Sequence, residues 1–396
     1  MEIPMARPDI DRAEIEAVTA VLRSTQLSMG PQVLAFEQAL ACYVGADHGI
    51  AVSSGTAGLH LCIRAARIGP GDLVVTTPFS FVASANVCLY EGAIPLFVDV
   101  EEDTGNIDVG AVQAAVEALT HRTKEGLRSL LPPAMARRME RHTGELKAIL
   151  PVHVFGRPAD MDRILELTER SGLRVIEDAC EAIGAEYKGR RVGALGDCGV
   201  FAFYPNKQIT TGEGGMIVTS DRRLSDMARS LRNQGRSASD SWLEHTRLGF
   251  NYRLDEMSSA LGRVQLARID ELLAKRDRVA DWYNERLAGT SVTTPLPAPV
   301  STRVSWFSYS IRFRDPQQRD CVRDHLADHD IPTRIYFSPI HLQDFYRQRF
   351  GYERGDYPNA ERWSETVLTL PFSSVMTEAQ VDLVCSKVSE GLARSV

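Results

Sequence analysis

Apolar positions fall into two kinds of run, and their alternation predicts the architecture. Short, almost wholly apolar runs at residues 49–52, 73–75, 94–98, 148–152, 174–176, 199–203 and 216–218 read as strands buried on both faces. Longer stretches with helical spacing fill the gaps, at 56–67, 80–89, 109–119, 161–171 and 224–233. Two helices precede the first strand. One opens at Asp11, where Asp11 and Glu14 have the spacing of a capping box; the other follows Gly30–Pro31 and ends before Gly45. Strands this apolar, separated by helices, predict an α/β fold with a mostly parallel seven-stranded sheet between helical layers.

After about residue 252 the pattern changes. Residues 255–288 form a long, nearly unbroken helical stretch with alternating charges, suited to connecting two domains. The segment 290–305, TSVTTPLPAPVSTRVS, reads as a linker or turn region. From Trp306 the signals are strand, helix and strand, those of a small α+β domain. The expected division is a large domain over 1–252, a connecting helix over 253–288 and a small C-terminal domain over 289–396, since 396 residues exceed what one core usually serves. One basic segment, 121–145 (HRTKEGLRSLLPPAMARRMERHTGE), interrupts a helix-to-strand connection. It reads as an exposed excursion; the alternative is a flap bringing arginines to a phosphate-bearing substrate.

Composition narrows the function classes. Hydrophobic residues at 44% and charged residues at 24% are ordinary for a core-forming protein. A formal charge of −7, spread along the chain, argues against general nucleic-acid binding, which needs a basic face. Seven scattered cysteines with no C-x-x-C spacing point to reduced thiols rather than a metal site or disulfide framework. The N-terminus lacks a basic segment followed by an apolar one, and no apolar run approaches the roughly 20 residues that span a bilayer. The expectation is a cytoplasmic protein with no membrane partner.

The candidate chemistry lies at the strand ends. In 198–219, CGVFAFYPNKQITTGEGGMIVT, an apolar strand runs into a turn at Tyr204, presents Lys207, and bends through glycines into another strand. An amine buried there is disfavoured as an ammonium and becomes nucleophilic toward an aldehyde; the plainer reading is a surface lysine. In 174–182, RVIEDACEA, a strand ends in Glu177 and Asp178 at the rim where α/β sheets bind ligands. Asp178 is placed to pair with a pyridinium nitrogen, or merely to cap the next helix. In 51–61, AVSSGTAGLHL, the helix start after Ser54 is a natural phosphate seat, with Ser54 or Thr56 adding hydroxyls. In 76–83, TTPFSFVA, Phe79 or Phe81 could stack on a flat ring, or be core. Asn251 and Arg253, in RLGFNYRLD, are candidate anion contacts. Arg334, Tyr336 and His341, in TRIYFSPIHL, are candidate substrate contacts or simply a strand and turn, and His153 reads as a satisfied buried histidine.

Phosphate seat, aromatic, carboxylate and lysine, in that order at the ends of one sheet, resemble the sugar aminotransferases of the DegT/StrS type, which are fold-type-I pyridoxal 5′-phosphate (PLP) enzymes. The resemblance covers nearly the whole chain. Its landmarks are IPMARPDIDRAEIEAV, LSMGPQVLAFEQALACYVGA, VSSGTAGLHL, PVHVFGRPADM, IEDACEAIGA, FYPNKQITTGEGGM and GFNYRLDEMSSALGRVQL. It implies that Lys207 holds PLP as a Schiff base, that Asp178 pairs with the ring nitrogen, and that Phe81 stacks on the ring. It also implies that Gly55–Thr56–Ala57 seat the phosphate, with Ser54 beside them, and that Asn251 completes that seat in the neighbouring subunit of a homodimer. Tyr204, Arg253, Arg334, Tyr336 and His341 are then candidates for the substrate. Two positions depart from the family pattern: Ala202 stands where a phosphate-binding Ser is common, and Glu181 where a Gln near the cofactor's phenolic oxygen is common. The implied reaction moves an amino group from L-glutamate to a keto sugar on a nucleotide. Within the same fold, the alternatives are action on a cyclitol or aminobenzoate precursor, a sugar dehydratase, and a non-catalytic regulator; the dehydratases carry His in place of the lysine.

Overall fold

The seven expected strands assemble into one sheet in the computed structural model, which describes residues 2–121, 124–142, 144–236 and 244–395. The strands are β1 (His48–Val52), β2 (Leu73–Thr76), β3 (Ile94–Phe97), β4 (Leu146–Ile149), β5 (Arg174–Asp178), β6 (Cys198–Ala202) and β7 (Gly215–Thr219). Their order across the sheet is β1-β7-β6-β5-β4-β2-β3. Only β7 runs against the rest, pairing antiparallel with β1 and β6. The other pairings are parallel, as apolar strands joined by helical crossovers require. The expected α/β class and mostly parallel sheet are therefore observed. Strand β4 ends earlier than its apolar run, because Pro151 has no N–H for the ladder; the carbonyl of Pro151 still accepts the Asp178 N–H at 2.9 Å.

The first helix, Arg12–Leu22, carries the expected capping box between Asp11 and Glu14. The second, Pro31–Val44, starts at Gly30–Pro31 as expected, but the group that caps it is remote. Glu256, from a helix over two hundred residues away, accepts the N–H groups of Gly30, Gln32 and Val33 at 2.8–2.9 Å. That buried carboxylate satisfies donors with no intrahelical acceptor and answers the positive end of the helix dipole.

The expected continuous helix over 255–288 is corrected: it is two helices, Glu256–Ala267 and Ile269–Leu287, broken at Arg268. No Gly or Pro marks the break. Arg268 is drawn toward the N-terminal segment by Asp9, Asp11 and Glu14 at 2.7–3.2 Å. The segment 121–145 also differs from an exposed excursion. It forms two short helices, Lys124–Leu130 and Pro133–Met139, whose Leu127, Met135 and Met139 join the main core; residues 122, 123 and 143 lie outside the described residues.

A second core gathers around the antiparallel pair β8 (Tyr309–Arg312) and β9 (Val367–Leu370) with the helices Pro316–Ala327 and Glu378–Arg394. Ile3 and the helix Ile269–Leu287 contribute to it. Between β8 and β9 the chain returns to the first core, where Phe337, Tyr346, Tyr357 and Trp363 are buried. That return carries Tyr336 and Phe337 over the C-terminal ends of the sheet.

Candidate active site

A cavity of about 440 Å³ opens where the parallel strands end. In open α/β sheets this edge collects loops from several strands, so distant segments meet there. Ser54, Gly55 and Thr56 follow β1, Phe81 follows β2, Asp178 ends β5, and Lys207 follows β6. Phe307 and Tyr336 close the side facing the second core.

The pleat of β5 separates its two terminal carboxylates. Glu177 is wholly buried and accepts the N–H groups of Gly193, Leu195 and Gly196 at 2.7 Å, so it clamps a loop. His153 Nε2 lies 3.0 Å from the same carboxylate, while its Nδ1 accepts the Ala159 N–H at 3.1 Å. This histidine is satisfied in the core, as expected. Asp178 faces the cavity instead. Its Oδ1 accepts the Cys180 N–H at 3.1 Å, and burial raises its pKa.

Lys207 sits on a turn closed by its own N–H, which donates to the Tyr204 carbonyl at 2.9 Å. The Lys207 carbonyl accepts from Arg276 Nη2 at 2.8 Å. Arg276 is itself buried, and burial pushes it down to about 10. Sequence reasoning missed this anchor, which looks like one more charge in a charged helix. The Lys207 side chain is 12% exposed, with Nζ 3.5 Å from Glu181 Oε1 and 3.9 Å from the centre of the Phe307 ring. Phe307 was also missed, since nothing near it in sequence signals a ligand. Glu181 Oε2 accepts the Phe155 N–H at 3.0 Å, and burial raises Glu181 as well.

The helix Gly55–Ala65 begins on the cavity wall, and Ser54 Oγ caps it by accepting the Ala57 N–H at 3.0 Å. Its first-turn N–H groups have no intrahelical acceptor, which suits an anion. Gly55 is required there: a Cβ would lie 2.8 Å from both Ala202 Cβ and Cys180 Sγ. Ala57 is buried behind the cap and does not line the cavity. Phe81 and Tyr204 stand at the rim, 63% and 52% exposed.

Besides Ala57, four expected residues are not brought to this cavity. His341 is corrected from substrate contact to core residue: it is wholly buried, its Nε2 is 3.0 Å from Glu361, and the Tyr352 and Tyr357 rings meet it edge-on. Burial lowers its pKa. Arg334 is exposed and turns back to the Thr333 carbonyl. Arg253 Nη1 donates to Asn233 Oδ1 at 2.9 Å. Asn251 is exposed, pairing along the backbone with Asn233. Among the described residues, the arginines of 121–145 do not line the cavity either; Arg128 pairs with Glu140, and Arg138 packs over Phe350. Among the described residues Lys207 is the one cation that does.

Comparison with known proteins agrees with this geometry. Residues 8–389 match the DegT/DnrJ/EryC1/StrS aminotransferase family. GDP-perosamine synthase of Caulobacter vibrioides is 38% identical over 395 residues, covering 98% of each chain. The spore coat polysaccharide biosynthesis protein SpsC of Bacillus subtilis is 35% identical over 405 residues, covering 98% of this chain and 96% of that one. Among solved structures, DesV of S. venezuelae in complex with a ketimine intermediate aligns with a TM-score of 0.85 at 33% identity, over 98% of each chain. With its cavity lysine and with relatives matched from end to end, the chain belongs to the DegT/DnrJ/EryC1/StrS aminotransferase family and is a PLP-dependent transaminase of fold type I.

Proposed function

We propose that this transaminase takes an amino group from L-glutamate and delivers it to a keto group on a nucleotide-linked sugar, as a cytoplasmic homodimer. The observation that carries the chemistry is Lys207, largely buried at the strand ends between Glu181 and Phe307. The sugar rests on the relatives: one is named for GDP-perosamine synthesis and another for spore coat polysaccharide. Seven unpaired cysteines are in keeping with a reducing compartment.

The residues fit PLP. Asp178 offers a buried carboxyl for the ring nitrogen, and the helix start at Gly55–Thr56 offers free N–H groups for the phosphate. Phe81, an exposed aromatic at the mouth of a cavity, offers a stacking face. Asn206 Oδ1 is buried with no hydrogen-bond partner, an acceptor left for a bound molecule. Bound PLP supplies an electron-withdrawing ring that stabilises negative charge on the carbon losing a proton.

The chain's own residues do the rest. Lys207 Nζ would hold the cofactor through its aldehyde, and as a free amine it would carry the proton of the substrate carbon. Asp178 would keep a proton on the ring nitrogen. Phe307 and Tyr336 cover the lysine and exclude water. Tyr204 and Tyr336, at the cavity, remain candidates for the sugar. Asn251, exposed and away from its own cavity, suits the role of completing a partner's phosphate seat.

The test is to load the protein with pyridoxamine phosphate and offer a panel of nucleotide-linked keto sugars, reading products by mass spectrometry. The reading expects amination of at least one and bleaching of the visible cofactor band by L-glutamate. An inert panel with amination of a cyclitol ketone would overturn the sugar assignment.

A further inference from the structure

Two buried carboxyls face one lysine. Asp178 and Glu181 are 7% and 6% exposed, and Lys207 is the one cation lining the cavity among the described residues. With all three ionised the cluster carries a net negative charge in a pocket of low dielectric, before any phosphate arrives. Such a cluster favours retaining a proton.

Geometry places that proton between Lys207 and Glu181. Glu181 Oε1 is 3.5 Å from Lys207 Nζ. Its other oxygen is held by the Phe155 N–H at 3.0 Å, and its carbonyl by Gln208 Nε2 at 2.7 Å. Phe155 adopts a left-handed backbone, φ 56°, which a non-glycine residue rarely accepts. That strain sits where the N–H reaches Glu181, so the fold aims the carboxyl rather than leaving it free.

The other titratable groups near Glu181 do not compete for the proton. Cys180 and Tyr336 are both raised by burial and stay neutral at physiological pH, and Glu213 is exposed at the rim. Asp178 is raised by burial as well, but among the described residues Glu181 is the carboxyl paired with Nζ. Burial pushes Glu181 upward against the pull of Lys207, which narrows the gap in proton affinity between carboxyl and amine.

We propose that Glu181 is the proton partner of Lys207, accepting from Nζ the proton an ammonium must lose before its amine can attack an aldehyde. The inference rests on the cofactor reading above. One proton passes from Nζ to Glu181 Oε1. The lone pair then forms the bond to the aldehyde carbon, and the aldehyde oxygen leaves as water with the two remaining amine hydrogens. Glu181 returns its proton to the lysine nitrogen, and the carboxylate so formed stabilises that positive charge. A glutamine here keeps the contact to Phe155 and loses both functions.

Glu181→Gln tests this through two pH titrations, neither of them turnover. One follows the rate at which cofactor-free protein captures PLP; the other follows the visible absorbance of the loaded protein. A carboxylate close to a cation raises the cation's pKa by about 1–3 units. Removing the charge is therefore expected to move both midpoints down by about 1 unit or more, a tenfold change in proton affinity. Glu181→Asp, which keeps the charge, should fall between. Midpoints that stay within about 0.3 units of wild type would overturn the proposal, the expected change being several times larger. So would a folded Glu181→Gln protein that takes up no PLP, which would make the residue structural. A visible band that survives Lys207→Ala would instead overturn the cofactor reading beneath it.

Discussion

At the scale of single residues, the chemistry divides between groups that the strand ends expose and groups that hold them there. Lys207 and Asp178 are legible in sequence because each stands at the end of an apolar strand, and Glu181 because it departs from the family's pattern. Arg276 and Phe307, which fix and cover Lys207, are not legible, because their partners lie 69 or more residues away. His341 misleads for the same reason: its partner Glu361 is 20 residues distant, and only the fold buries both. Asp178 gives the sharpest prediction here. Burial raises its pKa, so its folded form binds a proton more tightly than its unfolded form, and stability falls as pH rises above the unfolded value. Asp178→Asn removes that liability and keeps an oxygen for the Cys180 N–H. Thermal stability at neutral pH should hold or rise, while kcat should drop by about 10²-fold or more, since the ring nitrogen loses its proton holder. Calorimetry beside steady-state kinetics checks both halves; full activity would remove Asp178 from the mechanism.

At the scale of elements, the sheet was readable because parallel strands buried on both faces must be continuously apolar. Helix boundaries were readable where the cap is local, as at Asp11 and Glu14. Where the group that holds a helix end is remote, that group was not. Glu256 holds the start of the helix Pro31–Val44, and Arg268 breaks the stretch 256–287 by reaching back to Asp9, Asp11 and Glu14. Gly30–Pro31 marks the first of these boundaries but not the carboxylate that holds it, and no Gly or Pro marks the second. Glu256→Ala strands three N–H groups next to a buried space, and should destabilise the protein by about 2–4 kcal/mol. Urea unfolding measures this as a lower midpoint with little change in slope. A loss under about 0.5 kcal/mol would mean water replaces the carboxylate at little cost.

At the scale of the whole molecule, one chain assembles most of a cavity and leaves Asn251 outside its own. If two chains share their sites, Lys207→Ala in one chain and Asn251→Ala in the other fall in the same site of a mixed dimer and leave its second site intact. Two weakly active variants, unfolded and refolded together, should then recover about one quarter of wild-type activity, because half the dimers are mixed and each of those has one intact site. No recovery, with mixed dimers confirmed by mass, would place Asn251 in its own chain's site or in none. Every part of this account depends on which lysine bears the cofactor. Besides Lys207, among the described side chains, Lys147, Lys188, Lys275 and Lys387 are paired with carboxylates away from the cavity. Reducing the PLP-loaded protein with borohydride and mapping the labelled peptide by mass spectrometry tests the assignment directly. The account predicts one phosphopyridoxyl group per chain, on Lys207; stoichiometric label on any other lysine would contradict it.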